Sequence, residues 1–121
     1  MRRILFLLAL VCLVTAPAFA QDPVKVDAKH YKVLMENEKV RVLRVTYGAK
    51  EKSVMHEHPD TLAIFLTEAH ARFTLPDGKT ETSDKKPGDV QWTAAGKHNP
   101  ENAGDKPMEV ILVEFKGPKT K

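Results

Sequence analysis

Short runs of β-branched and aromatic residues, separated by turn-forming residues, dominate this sequence and restrict the folds open to it. Residues 40–47 are rich in valine, and residues 71–75 alternate between apolar and polar types before the turn Pro76-Asp77-Gly78. Proline presets φ and glycine accepts a positive φ, so this triplet reverses the chain. Turn signals recur about every 8–12 residues, and no segment beyond residue 20 has the period of an amphipathic helix. The sequence therefore predicts an all-β sandwich or barrel with minimal helix.

The pattern predicts about eight short strands and one domain. We place an N-terminal extension at residues 21–39, a barrel at residues 40–116 and a tail at residues 117–121. Adjacent Val42 and Leu43 predict a β-bulge or burial on both faces of their strand. The predicted strands are residues 27–35, 40–47, 61–67, 71–75, 79–82, 90–93 and 108–115, together with the extended stretch around His56.

The first 20 residues have the layout of a secretory signal-peptide helix. Arg2 and Arg3 precede the apolar run of residues 4–14, and Ala18-Phe19-Ala20 has the small-x-small pattern of a cleavage site. The run is shorter than the about 20 apolar residues of a membrane span, although an uncleaved anchor is the alternative interpretation. Cleavage after Ala20 predicts an exported protein, periplasmic or extracellular, with no stable membrane anchor.

Composition argues against several classes of function. The single cysteine, Cys12, lies inside the predicted leader, so the exported chain gains no disulfide and needs packing, oligomerisation or a metal for stability. The formal net charge is +3, and acidic and basic residues are interspersed. Because there is no basic stripe with interleaved aromatic residues, nucleic acid is not an expected partner. Neither a Ser-His-Asp order nor a glycine-rich phosphate loop is present.

His56 and His58 are separated by one residue. In an extended chain, side chains two residues apart share a face, so the two imidazoles project together and Glu57 points the opposite way. Neutral imidazole nitrogen binds zinc, iron, copper and nickel, which makes the pair the start of a metal site. Two neighbouring histidines are also a common feature of solvated loops, and so the metal interpretation needs a third ligand elsewhere.

His98 is the candidate for that third ligand. It follows the strand predicted at residues 90–93 and lies in a predicted long loop at residues 94–105. Taken in order, these features resemble the two motifs of the cupin superfamily, whose members are small double-stranded β-helix, or jelly-roll, barrels. The resemblance covers about residues 40–115. The first motif matches at Gly48, His56 and His58, and the second matches at Gly88, Gly96, His98 and Asn102.

The sequence departs from the cupin motifs at positions that concern the metal. The motif glutamate, which is a fourth ligand in the family, would fall at Leu62 or Ala63, and neither can bind a metal. Ala94 replaces the proline of the second motif, and the glycine that closes the first motif is absent. Asp60 is the nearest candidate for an additional ligand.

The resemblance implies one divalent metal ion held by His56, His58 and His98, with iron, zinc, manganese, copper and nickel all open. Free positions on such an ion would admit a small-molecule ligand or substrate, as in a mononuclear oxygenase or isomerase. The missing glutamate leaves two alternatives, a non-catalytic small-ligand or metal-binding module and a metal-free structural barrel. Whether the protein is an enzyme stays open, because the sequence shows no general base and assigns no catalytic residue.

The remaining predictions concern assembly and the placement of individual residues. Residues 24–34 have strand character but no evident partner in the barrel, so we predict a homodimer in which this segment pairs across the interface and covers an open edge. Asn102 is a candidate to orient the His98 loop without binding the metal. The remaining expectations are His30 and His70 on the surface, and Trp92 and Phe65 in the core.

Overall fold

A computed structural model describes residues 21–118, in which the strands form two antiparallel sheets. The signal peptide and Cys12 predicted within residues 1–20, and residues 119–121 of the predicted tail, lie outside the described residues. Within residues 21–118, no helix has the length and apolar character needed to cross a bilayer. The elements are α1 (Pro23–Val26), β1 (Tyr31–Glu36), β2 (Val40–Tyr47), β3 (His56–His58), β4 (Thr61–Phe65), β5 (Ala69–Thr74), β6 (Thr80–Lys85), β7 (Val90–Thr93), β8 (Gly96–Asn102) and β9 (Met108–Phe115).

The two sheets have the connectivity of a rolled-up barrel. One sheet has five strands in the order β1-β2-β9-β4-β7, and the other has four in the order β3-β8-β5-β6. Strands far apart in the chain are neighbours, and β2 pairs with β9 along its whole length. From β2 to β9 the chain crosses between the sheets at every connection except that of β5 with β6, which confirms the predicted all-β jelly-roll architecture.

Three predicted strands coincide with β2, β7 and β9, but the long loop predicted at residues 94–105 is wrong. That region contains β8, which pairs with β3 on one side and with β5 on the other. Its sequence from Gly96 to Asn102 has no apolar alternation, so strand propensity gave no signal. Pairing on both sides makes it a strand, and its buried positions are Pro100 and Asn102 rather than apolar residues.

β1 corrects the prediction that residues 24–34 lack a partner within the barrel. Residues 31–36 pair antiparallel with β2, so β1 is an edge strand of the five-stranded sheet. A β-bulge was one prediction for Val42-Leu43 of β2. The register irregularity lies instead on β1, between Val33 and Met35, which are the residues paired with Leu43 and Val42. The stated reason for pairing across a dimer interface is therefore removed, since the segment already has a partner in its own chain.

Strand alternation decides which side chains lie inside the barrel. Phe65 is buried as predicted, but Trp92 is 55% exposed, so its expected core position is wrong. The alternate residues Gln91 and Thr93 of β7 instead line an internal cavity of about 260 Å³. The buried apolar residues, several of them alanines that leave room for this cavity, are Tyr31, Leu43, Val45, Tyr47, Ala63, Phe65, Ala69, Ala71, Met108 and Val110.

Candidate metal centre

Antiparallel pairing of β3 with β8 brings the three histidines together. His56 lies directly opposite His98, and His58, two residues along β3, projects from the same face. One nitrogen of each imidazole lies within 4.8 Å of a nitrogen of each of the other two rings. His56 and His58 are buried and His98 is half-buried. The His-x-His spacing and the register of β8 together produce this cluster.

Hydrogen bonds determine which nitrogen carries the proton in His56 and in His58. His56 Nδ1 lies 2.8 Å from the carbonyl oxygen of Val54, which can only accept, so Nδ1 carries the proton and Nε2 keeps its lone pair. His58 Nδ1 donates to Glu114 Oε2 over 2.7 Å, with the same consequence. His98 Nε2 is buried and has no hydrogen-bond partner within residues 21–118. A metal ion would satisfy this orphaned nitrogen together with the other two lone pairs, so the residues fit the group that the motifs imply.

Burial keeps two of these rings neutral. Desolvation, followed by repulsion from His58, lowers the pKa of His56 to about 4. Desolvation and repulsion from the other two rings lower the pKa of His98 to about 3. Metals bind the neutral imidazole, so both rings are ready to bind near neutral pH without losing a proton. Three neutral ligands leave the charge of a divalent ion uncompensated and leave coordination positions open.

A buried carboxylate, Glu114 on β9, supports His58 from the opposite sheet. Its two oxygens accept hydrogen bonds from His58 Nδ1 at 2.7 Å and from Arg41 Nε at 2.6 Å, and it is 1% exposed. Arg41 in turn donates to both carboxylate oxygens of Asp22 over 2.8 and 2.9 Å. Burial opposes ionisation, but the hydrogen bonds from His58 and Arg41 hold the pKa of Glu114 below its usual value. Glu114 thus orients the His58 ring and adds a buried negative charge near the site.

Two buried phenols contact His56. The Tyr31 hydroxyl lies 3.2 Å from His56 Nε2 and 2.7 Å from the hydroxyl of Tyr47. Desolvation raises the pKa of both phenols, so they stay protonated. The ring of His30 stacks on Tyr47 with centroids 4.3 Å apart. Both phenols also line the cavity, which places hydroxyl groups beside the candidate metal ligands.

His30 corrects the prediction of a surface residue, because it is 7% exposed. Its Nδ1 lies 2.8 Å from the carboxylate of Asp27, and its Nε2 lies 3.0 Å from Glu51 Oε2. The same Asp27 carboxylate accepts a hydrogen bond from Ser53 Oγ, which lies 3.4 Å from His56 Nδ1. The segment that precedes β1 therefore packs behind His56. The sequence had predicted that this segment is an extension outside the barrel.

Two residues predicted to assist the site lie elsewhere. Asp60 is exposed, and its Oδ1 accepts from the backbone N–H of Ala95 over 2.9 Å, so the structure does not bring it to the histidines. Asn102 is buried at the end of β8, where its side chain donates to the carbonyl oxygens of Gly48 and Lys106 at 3.0 and 2.7 Å. It fixes these two loops. The prediction was that Asn102 orients the His98 loop, but its side chain does not contact His98. His70 is on the surface, as predicted, between Glu68 and Asp84.

Sequence reasoning missed Glu114, Arg41 and Tyr31. A signal for Glu114 was present, because it shares strand parity with Met108 and Val110 and so falls on the inward face. Arg41 pairs directly opposite Glu114 in the β2–β9 register, but that register is visible only in the fold. Tyr31 lies outside both motifs, and no sequence pattern linked it to His56.

Comparisons with known proteins agree on the fold. No protein-family model matches the sequence, and no curated protein matches it. A cupin domain from Bordetella pertussis Tohama I is similar over 72% of this chain and 92% of its own, with 24% identity and a TM-score of 0.67. A cupin family protein with a double-stranded β-helix fold from Methanocaldococcus jannaschii is similar over 70% of this chain and 77% of its own, with 18% identity and a TM-score of 0.58.

A third similar structure is named as a sugar phosphate isomerase of the cupin superfamily from Silicibacter pomeroyi. It aligns over 73% of this chain and 59% of its own, with 21% identity and a TM-score of 0.53. At such identities the similarity establishes the fold, while the histidine cluster rests on the geometry described above. The chain therefore has the cupin fold, a double-stranded β-helix, with His56, His58 and His98 positioned to bind a metal ion.

Proposed function

We propose that the protein binds one divalent transition-metal ion through Nε2 of His56, His58 and His98 and acts on a small molecule at the ion's open positions. The observation that carries this proposal is the buried His98 Nε2, which has no partner within residues 21–118 and belongs to a ring packed against the other two imidazoles. A buried polar atom without a partner costs about 1–3 kcal/mol, and a metal ion removes that cost. Iron, zinc, copper and nickel suit imidazole ligands, and manganese stays among the candidate ions.

A bound ion would supply Lewis-acid or redox chemistry, which suits a mononuclear oxygenase or an isomerase. The chain's own contribution is to orient the metal-binding histidines and to exclude water from the site. Glu114 holds His58 in one tautomer, and the apolar cavity lining shelters a small molecule from solvent. Lys97 is the one lysine or arginine in that lining, so the cavity offers little to a phosphate group. We therefore favour a small substrate without a phosphate group over a sugar phosphate.

A non-catalytic metal- or ligand-binding module is the second candidate. Among the residues that line the cavity, the one carboxylate belongs to Glu81, which is exposed. A buried general base facing the cavity is therefore missing from the described lining, which favours binding without catalysis. A metal-free structural barrel is the third candidate.

Metal analysis of protein purified without chelators separates the third candidate from the first two. We expect about one ion per chain, and a consistent absence of metal would contradict the proposal. His56→Ala, His58→Ala and His98→Ala should each abolish most of the bound metal, because two protein ligands rarely hold a divalent ion against water. His70→Ala is the matched control, since that histidine is on the surface and outside the cluster. Oxygen uptake that depends on an added substrate would then separate an oxygenase from a binding module.

We also propose that the protein is exported to the periplasm or the extracellular space and that its mature chain begins at Gln21. Support comes from the order of Arg2-Arg3, the apolar run of residues 4–14 and Ala18-Phe19-Ala20.

A homodimer remains our proposal, now on a different basis. A cross-strand row of apolar residues runs over the outer face of the five-stranded sheet from one edge to the other. Arg44 and Glu109 on this face pair with each other, and Lys32 lies opposite Arg44 at the β1 edge, so the charges lie beside the row and the row itself is uncharged. A second copy related by a two-fold axis would place apolar row against apolar row. The row consists of Met35, Val42, Val113, Leu62 and Trp92.

A further inference from the structure

The hydroxyl groups of Tyr31 and Tyr47 form a directed hydrogen-bond chain that ends on the candidate metal centre. His56 Nδ1 donates to Val54, so His56 Nε2 can only accept, and the Tyr31 hydroxyl 3.2 Å away must be its donor. Because the Tyr31 proton is committed to His56, the Tyr47 hydroxyl is the donor in the 2.7 Å contact between the two phenols. Protons therefore point from Tyr47 to Tyr31 and from Tyr31 to His56.

Metal binding would remove the acceptor at the end of this chain. An ion on His56 Nε2 takes the lone pair that accepts from Tyr31, which leaves the Tyr47 oxygen or a group bound at the metal to accept the Tyr31 proton. Tyr31 is 3% exposed and its backbone is fixed in β1, so its hydroxyl can turn only towards His56, Tyr47 or the cavity that it lines. An acceptor bound at the metal keeps the present direction of both hydroxyl groups and leaves neither buried O–H group without a partner.

We propose that Tyr31 is the hydrogen-bond donor to the small molecule or anion that binds at the metal's open position, with Tyr47 holding the Tyr31 hydroxyl in place. This inference rests on the proposed metal site. The acceptor is an atom with a second lone pair, as in a carboxylate, an enolate oxygen or azide. Tyr31 is a donor rather than a fourth ligand because ligation requires the phenol to lose its proton. The hydrogen-bond partners of its oxygen are Tyr47 and His56, and neither is a free base when His56 holds the ion.

The test compares copper-loaded wild-type protein with Tyr31→Phe and Tyr47→Phe, using azide as the probe. Copper affinity is measured first by competition with a chelator, and azide binding is then followed by its charge-transfer absorbance. We expect Tyr31→Phe to bind copper within about threefold of wild type but azide about tenfold more weakly, the effect of one lost hydrogen bond. Tyr47→Phe is the matched control. It removes the same hydroxyl group one hydrogen bond further from the ion, and we expect azide affinity to fall by threefold or less.

Three results would overturn the proposal, and the measurements distinguish each of them from the other two. Wild-type protein that binds no copper refutes the metal site itself, and the inference falls with it. Wild-type azide affinity in Tyr31→Phe, with copper bound, refutes the donor role alone. A large loss of copper affinity in Tyr31→Phe would instead make Tyr31 a ligand. If the phenylalanine variant does not fold, Tyr31→Met fills a similar volume without a donor and serves for the same measurements.

Discussion

Replacement of Glu114 by glutamine should weaken metal binding although Glu114 does not bind the metal. The carboxylate accepts from two N–H groups at once, His58 Nδ1 at 2.7 Å and Arg41 Nε at 2.6 Å. A glutamine of the same shape has one accepting oxygen and one donating NH₂ group. Its NH₂ group must therefore face a donor, unless His58 moves its proton from Nδ1 to Nε2. That second tautomer blocks the nitrogen needed for the metal.

We expect Glu114→Gln to lower metal affinity about 10- to 100-fold, the range for groups that orient a metal-binding histidine. This corresponds to about 1.4–2.7 kcal/mol of binding free energy. The folded state should lose less than the about 3–5 kcal/mol of a broken buried ion pair, because Arg41 keeps both hydrogen bonds to Asp22. Affinity is measured by zinc titration against a chromophoric chelator, and circular dichroism checks the fold.

Glu109→Gln is the matched control, since Glu109 also lies on β9 and also pairs with an arginine of β2, Arg44. That pair is on the outer face and half exposed, so its loss should change stability little and leave metal affinity unchanged. A folded Glu114→Gln variant with wild-type affinity would refute the tautomer argument. Equal losses in both variants would show that β9 as a whole, rather than the carboxylate of Glu114, supports the site.

The other predictions concern pH, assembly and processing. Metal-free protein should lose stability as pH falls from 6.5 towards 4, because the depressed pKa values of His56 (about 4) and His98 (about 3) let the unfolded chain bind protons that the folded chain does not. Thermal melts across this range check it, and a constant melting temperature would contradict it. Trp92→Lys should convert the homodimer into a monomer and retain the metal, and light scattering measures the change. A wild-type protein that is monomeric at micromolar concentration would exclude the dimer. Mass spectrometry of exported protein should find a chain that begins at Gln21, and retention of Met1 would overturn the leader prediction.

Much of the architecture follows from local patterns. The β2, β7 and β9 strands carry β-branched or apolar residues between clear turns, so propensity and burial favour the same structure. β8 does not, because its inner face carries His98, Pro100 and Asn102 instead of apolar side chains. A strand that builds a site gives up the pattern by which strands are recognised. The prediction of a core position for Trp92 was wrong for the opposite reason. Its apolar character gave a signal, but that signal does not say which face of β7 is inside.

The sequence by itself determined the histidines, because a spacing of two fixes His56 and His58 on one face of any extended chain, and the two motifs in order point to His98. Only the tertiary structure decided what surrounds them. Glu114 reaches His58 from the other sheet, and Tyr31 reaches His56 from a segment that precedes the first cupin motif. These contacts depend on how distant strands are aligned and on how the sheets face each other. Long-range packing sets both, and no local pattern of residues records them.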